Sequence, residues 1–184
     1  MKKALVLISI LMLSAAALAE DAVTKGNVCS TESVEAQKGS SFPVKVLLTN
    51  IDTLIAIQVP IYYRSEDVDL VCDSISFVGT RLQGQTASFF KIEPVGKVAF
   101  FAFMSMIQID PAKQMLAPGK GPIAVMWFTA GKDIKSGKVT LDSGPNAYLP
   151  HEYVDYSYHF WSRTVEDLTK DVVCAFTPGY ITVK

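Results

Sequence analysis

The alternation of apolar and polar residues with a period of two constrains the fold of this chain more than any other feature. In segment 42–49 it begins at Phe42, and the turn-forming residues 50–52 end it. Successive side chains of a β-strand point to opposite faces, so this pattern predicts a strand with one buried face. A second alternating series covers 55–63, and its Pro60 predicts a sheet edge or a bulge.

Similar short runs recur along the rest of the chain. They cover 28–36, 71–78, 87–92, 97–105, 123–129, 138–141, 154–160 and 180–183, and glycines and prolines separate them. No long segment keeps a helical period, although 110–116 predicts one helical turn before Pro118. We therefore predict an all-β chain of about ten candidate strands, folded as one two-sheet antiparallel β-sandwich.

The first nineteen residues have the features of a secretory signal peptide. Lys2 and Lys3 precede an apolar run over 4–13, and small residues end the segment at Ala19. The apolar run is too short to span a bilayer comfortably. We predict a signal peptide over 1–19 and a single domain over 20–184 that has no membrane span and is secreted, extracellular or in the cell envelope.

The charge of this predicted mature chain argues against nucleic-acid binding. The signal contains two lysines and no acidic residue, so the 17 basic residues of the chain fall to 15 against 18 acidic residues. Binding to phosphates needs a concentrated basic patch, and the sequence has none.

Motifs for catalysis are missing from the sequence. It has no nucleophile elbow, phosphate-binding loop or zinc-protease signature, and its two histidines, His151 and His159, are too few for a usual zinc site. Four acidic residues are candidates for glycoside chemistry, but acids at turns are usually only solvated: Asp67, Asp69, Glu152 and Asp155. We predict a non-enzyme without a cofactor, and calcium ligation by Glu66, Asp67 and Asp69 is left open.

Three cysteines, Cys29, Cys72 and Cys174, allow one disulfide and one remaining thiol. Export favours disulfides. We predict a Cys29–Cys174 bridge, because each residue precedes a terminal strand pattern and these strands are expected to lie side by side. The alternative is three buried, apolar thiols.

Two aromatic features indicate binding. The predicted strand over 98–105 is apolar on both faces, and we predict that Phe101 and Phe103 form an exposed docking patch, with coverage by a loop as the alternative. The second feature is the aromatic run over 148–161. There, Tyr153 and Trp161 are candidates for stacking on a sugar, and core packing is the alternative.

The order of these segments resembles the cohesin family, within the wider group of cohesins and carbohydrate-binding modules. The resemblance rests on Gly39, 42–50, 57–63, 71–79, 121–128 and 179–183. It implies a jelly-roll sandwich of about nine strands with adjacent terminal strands and no catalytic activity.

Cohesins bind dockerins, calcium-loaded modules of other secreted proteins, through one flat sheet face. By position, the strands around Gln58 to Tyr62 and Ala99 to Phe103 look like members of that face. The expected function is docking of a dockerin-like or other exported protein through Gln58, Tyr62, Phe101 and Phe103. The alternatives are polysaccharide binding and a structural subunit that self-associates through an edge strand.

Overall fold

The computed structural model describes residues 26–65, 67–85, 88–105, 115–144, 158–162 and 170–184. Every regular element in these ranges is a β-strand, which confirms the all-β prediction. The strands are β1 (Asn27–Thr31), β2 (Val34–Ala36), β3 (Ser41–Asn50), β4 (Leu54–Arg64), β5 (Leu70–Ser76), β6 (Ser88–Glu93), β7 (Val98–Met104), β8 (Gly119–Ala130), β9 (Gly137–Asp142), β10 (His159–Ser162), β11 (Lys170–Asp171), β12 (Cys174–Thr177) and β13 (Gly179–Val183).

These strands form two sheets, as predicted. The first sheet has five strands in the order β12-β1-β3-β8-β5. The second has eight strands: β11-β10-β4-β9-β13-β2 form one path, and β7 joins β4 to β6. Most of the pairings are antiparallel, as predicted, but β1 pairs with β12, and β13 with β2, in parallel. The described ranges also contain more than the nine or ten expected strands, since several terminal strands are only two to five residues long.

The core forms between the inner faces of the two sheets. From the first sheet, Val44, Val46 and Leu48 of β3 are fully buried, as the alternation predicted. Ile57, Val59 and Ile61 of β4 are also fully buried and lie in the same apolar cluster. Burial of a side chain of this size contributes about 1.5–3 kcal/mol.

Pro60 lies inside β4, where the strand changes partner along one edge. β10 pairs with β4 up to Gln58, and β9 pairs with it from Tyr62 onward. Proline has no N–H to donate to a ladder. Pro60 lies in the gap between β10 and β9, where β4 needs no N–H on that edge. The opposite edge of β4 pairs with β7 in unbroken register.

Both ends of the described chain change sheets at the same place. β1 belongs to the first sheet and β2 to the second, and the successive strands β12 and β13 make the same change. Gly179 lies at this crossing, where its N–H donates to the Thr31 hydroxyl at 2.7 Å. A Cβ atom added at Gly179 would lie 2.5 Å from the carbonyl oxygens of both Thr31 and Glu32. Only glycine allows the two backbones this approach.

Arg81 links the turn after β5 to the adjacent ends of the paired strands β3 and β8. Its guanidinium donates to the carbonyl oxygens of Ala117 at 2.5 Å and Gly119 at 3.0 Å, and to Asn50 Oδ1 at 2.7 Å. Burial lowers the pKa of Arg81. The contacts satisfy carbonyl groups at the start of β8 and hold the turn after β5 against this end of the first sheet.

The crossing gives a direct prediction for stability. Gly179→Ala is expected to lower the free energy of unfolding by about 2 kcal/mol or more, because the added methyl group overlaps two backbone oxygens that cannot move independently. Urea unfolding followed by fluorescence measures the loss. The control is Gly131→Ala, where the added Cβ has no atom within 4 Å. Equal stability of the two variants would contradict the close crossing.

Candidate functional site

The outer face of the second sheet is formed by the side chains of four strands that point away from the first sheet. The register aligns Trp161, Ala56 and Met104 in one row, and His159, Gln58, Ala102 and Phe89 in the next. The face contains Ala56, Gln58, Pro60 and Tyr62 of β4, Val98, Phe100, Ala102 and Met104 of β7, Phe89, Lys91 and Glu93 of β6, and His159 and Trp161 of β10.

This face divides into a buried half and an accessible half. Tyr62, Val98 and Phe100 are buried at one end. At the other end Phe89 and Met104 are each 52% exposed, although both are large and apolar. His159 is exposed there too, and Gln58 and Trp161 are half-buried. We call these five residues the exposed band.

Contacts between aromatic rings fix the orientation of side chains in the exposed band. The Phe89 ring lies against Phe100, with centroids 5.9 Å apart, although Phe89 is 52% exposed. The rings of His159 and Trp161 stack at 5.1 Å with an interplanar angle of 22°. A surface of preformed aromatic contacts loses little side-chain entropy on binding, which suits a docking site.

Tyr62 lies on the predicted face but in its buried half. The Arg64 guanidinium lies over the Tyr62 ring, 5.7 Å from its centroid, and donates to the Gly96 carbonyl oxygen at 2.7 Å. Gln58 is adjacent to the accessible residues, in register with His159 and Ala102. Of the four residues predicted to contact a partner, only Gln58 is therefore accessible at the band.

The prediction that Phe101 and Phe103 are exposed is wrong. They are 0% and 1% exposed, and they lie in the core cluster. The register pairs Phe101 with Val59 and Phe103 with Ile57, both of which point inward. Strand β7 is apolar on both faces, so alternation did not reveal which face points inward. The opposite face carries Met104, and neither Met104 nor Phe89 was among the predicted contact residues.

Only one of the two residues predicted to stack on a sugar lies in the described part of the chain. Trp161 belongs to the exposed band, and Tyr153 lies outside the described residues. His151, Glu152, Asp155 and Glu66 also lie outside them.

The two described calcium candidates are engaged in ion pairs. Asp69 pairs with Lys97, and Asp67 lies 3.6 Å from Lys135. Within the described ranges, histidine, cysteine and acidic side chains form no group of three or more that could hold a metal ion. These two carboxylates serve to join the loop before β5 to neighbouring turns.

The cysteine prediction is correct for the strands but not for the bond. β1 and β12 are neighbours, yet Cys29 is opposite Phe176, and Cys174 is opposite Asn27. A two-residue offset along paired strands separates the Cα atoms by about 8 Å, beyond the usual disulfide range. All three thiols are free in the structure, so the predicted bridge is absent from it.

Burial makes the three thiols weaker acids than exposed cysteines. It raises the pKa of Cys29, and the neighbouring Cys174 raises it further. Burial raises the pKa of Cys72 to about 12 and also raises the pKa of Cys174. Because the thiolate is the reactive form, these cysteines are chemically quiet in the folded protein near neutral pH.

The fold is similar to that of cohesins. The seventh ScaB type I cohesin from Pseudobacteroides cellulosolvens matches at a TM-score of 0.65 and 15% identity, over 86% of this chain and 92% of that one. The cohesin OlpA from Clostridium thermocellum, solved in a cohesin–dockerin complex, matches at 0.67 and 10%, over 86% and 99%. A non-cellulosomal cohesin from the archaeon Archaeoglobus fulgidus matches at 0.60 and 14%, over 86% and 91%.

The chain thus has a cohesin-like β-sandwich fold, and the resemblance found in the sequence is confirmed. No protein-family model and no curated protein matches the chain. In the described part of the chain, no helix has the length and hydropathy needed to cross a membrane.

The reassignment of β7 is testable by stability. Phe101→Ala is expected to lower the free energy of unfolding by about 3–5 kcal/mol, because it leaves a cavity in the core. Phe89→Ala removes the same group from a half-exposed position and is expected to cost about 1 kcal/mol or less. Chemical denaturation measures both. A smaller loss for Phe101→Ala than for Phe89→Ala would show that the faces are assigned wrongly.

Thiol chemistry tests the cysteine geometry. At pH 8 the raised pKa values keep Cys29 and Cys72 protonated, so we expect slow alkylation of the native protein by iodoacetamide. After unfolding in guanidinium chloride without a reductant, all three thiols are expected to react. The readout is the mass added per molecule. A single reactive thiol after unfolding would show that the two terminal strands shift and form the bridge.

Proposed function

We propose that this protein is a non-catalytic docking module that binds an exported partner through the exposed band. The observation that carries the proposal is the pair of large apolar side chains, Phe89 and Met104, half-exposed on one face of a cohesin-like sheet. Contiguous apolar groups at the surface of a soluble protein typically mark a binding site.

The composition of the band fits a protein interface. Phe89, Met104 and Trp161 supply apolar and aromatic groups on both sides of Gln58, and Gln58 and His159 add hydrogen-bonding groups. Interfaces between proteins are enriched in aromatic residues and methionine, and they also contain hydrogen-bonding groups. The band crosses β10, β4, β7 and β6, and a rigid sheet needs little reorganisation to bind.

A dockerin-like module is the partner that best fits this fold. Several similar cohesins were solved in complex with dockerins, which supports protein docking as the class of function. Residues 1–19 have the sequence of a secretory signal, so we infer that the chain acts outside the cytoplasm as a single domain over 20–184. Trp161 is expected to contact this protein partner rather than a sugar.

The proposal is tested with the mature chain as bait for the secreted proteins of its host. A captured protein is purified, and its dissociation constant is measured by calorimetry. We expect Phe89→Asp combined with Met104→Asp to weaken binding at least tenfold, because two charges are buried without partners in the interface. The matched control is Val71→Asp, which replaces an apolar residue of similar exposure, 47%, on the opposite sheet.

Separate outcomes would exclude the proposed docking site and the proposed kind of partner. Binding unchanged by the double variant, or weakened equally by Val71→Asp, would exclude the exposed band. Dockerins are calcium-loaded, so treating the partner with a chelator is expected to abolish binding. Full affinity after chelation would exclude a dockerin-like partner but leave a docking module.

A further inference from the structure

The outer face of the first sheet carries an exposed tryptophan. Met126 and Phe128 of β8 are fully buried in the core, so Trp127 between them points outward, where it is 42% exposed. Its neighbours across the sheet are Pro43 of β3 and Ser74 of β5. Both are short, so the indole stands above a shallow surface instead of packing between long side chains.

A β-bulge next to the indole adds a carboxylate to this face. The pairing of β5 with β8 shifts register between Cys72 and Ser74. Asp73 is the extra residue, and it is exposed. Bulges interrupt a ladder and often serve to redirect a side chain. Here the bulge allows Asp73 to reach the same face as Trp127.

Asp73 ends a short chain of hydrogen bonds. The Thr129 hydroxyl donates to Asp73 Oδ2 at 2.7 Å, and the Ser41 hydroxyl oxygen lies 2.7 Å from that of Thr129. A carboxylate only accepts, so Thr129 uses its hydrogen on Asp73, and Ser41 donates to Thr129. Lone pairs of Ser41 and of Asp73 therefore remain as acceptors, one residue row away from the indole.

We propose that this face binds a neutral polysaccharide, with one pyranose ring stacked on Trp127 and its hydroxyl groups donating to Asp73 and Ser41. A sugar ring has an apolar face and a hydroxyl-bearing rim, and an indole beside fixed acceptors complements both. This polar arrangement is already in place before binding, which lowers the entropic cost of orienting it.

The charges of the face select against an acidic polymer. Asp73 would repel carboxylate or sulfate groups next to the indole. The one nearby cation on β3, Lys45, pairs with Glu32 at 3.3 Å. An apolar platform that is one indole wide suits one or two sugar rings, whereas a stable protein interface buries about 800 Å² per partner. This inference does not rest on the proposed docking function, because the two surfaces lie on opposite sheets.

The test is affinity electrophoresis of the mature chain in gels containing hydroxyethylcellulose, galactomannan or polygalacturonate. We expect retardation in at least one of the neutral polymers and none in polygalacturonate. Trp127→Ala is expected to raise the dissociation constant at least tenfold, and Asp73→Ala several-fold. The control is Tyr180→Ala, which removes another exposed aromatic ring from the second sheet.

A second measurement monitors the indole directly. The chain has two tryptophans, so in a Trp161→Phe variant all indole fluorescence comes from Trp127. A sugar stacked on the ring excludes water and is expected to shift the emission to the blue. The proposal is overturned if both neutral gels leave the wild type unretarded, if Trp127→Ala migrates like the wild type, or if only the acidic polymer retards the chain. Retardation without any spectral shift would also overturn it.

Discussion

The structure depends on the joint crossing of its two terminal segments from one sheet to the other. β1 pairs in parallel with β12 in the first sheet, and β13 pairs in parallel with β2 in the second. The two chains meet where the Gly179 N–H donates to Thr31 and no Cβ fits. The first two and the last two described strands are thus divided between the sheets, so opening either sheet at this end strains the contacts in the other.

Much of this architecture could be predicted from the sequence, and the failures have a physical cause. The alternation in β3 and β4 identified their buried faces, because only one face of each is strongly apolar. Strand β7 offered two apolar faces, so the choice between Phe101 and Phe100 depended on its register with β4. Alternation fixes which residues share a face, but the pairing partner decides which face points inward.

The same limit explains the cysteines. The sequence placed Cys29 and Cys174 on neighbouring strands, and they are neighbours. A parallel pair has no short hairpin turn to fix its register. An offset of two residues decides whether a disulfide forms, and strands of four or five residues contain too little pattern to predict that offset. The exposure of Phe89 and Met104 was not predicted for a related reason, since it depends on β6 lying beyond β7 at the sheet edge.

The sandwich separates two surfaces that differ in chemistry. On the second sheet, Phe89 and Met104 make the exposed band largely apolar, which favours a partner with apolar side chains at its surface. On the first sheet, Trp127 is bordered by Ser41, Asp73 and Thr129, which favours a ligand with hydroxyl groups along its edge. The rigid core between the sheets keeps each surface preformed, and it also keeps them about 10 Å apart or more, the usual spacing of packed sheets. Occupation of one surface therefore leaves the other accessible, so the two proposed ligands would not compete for the same face.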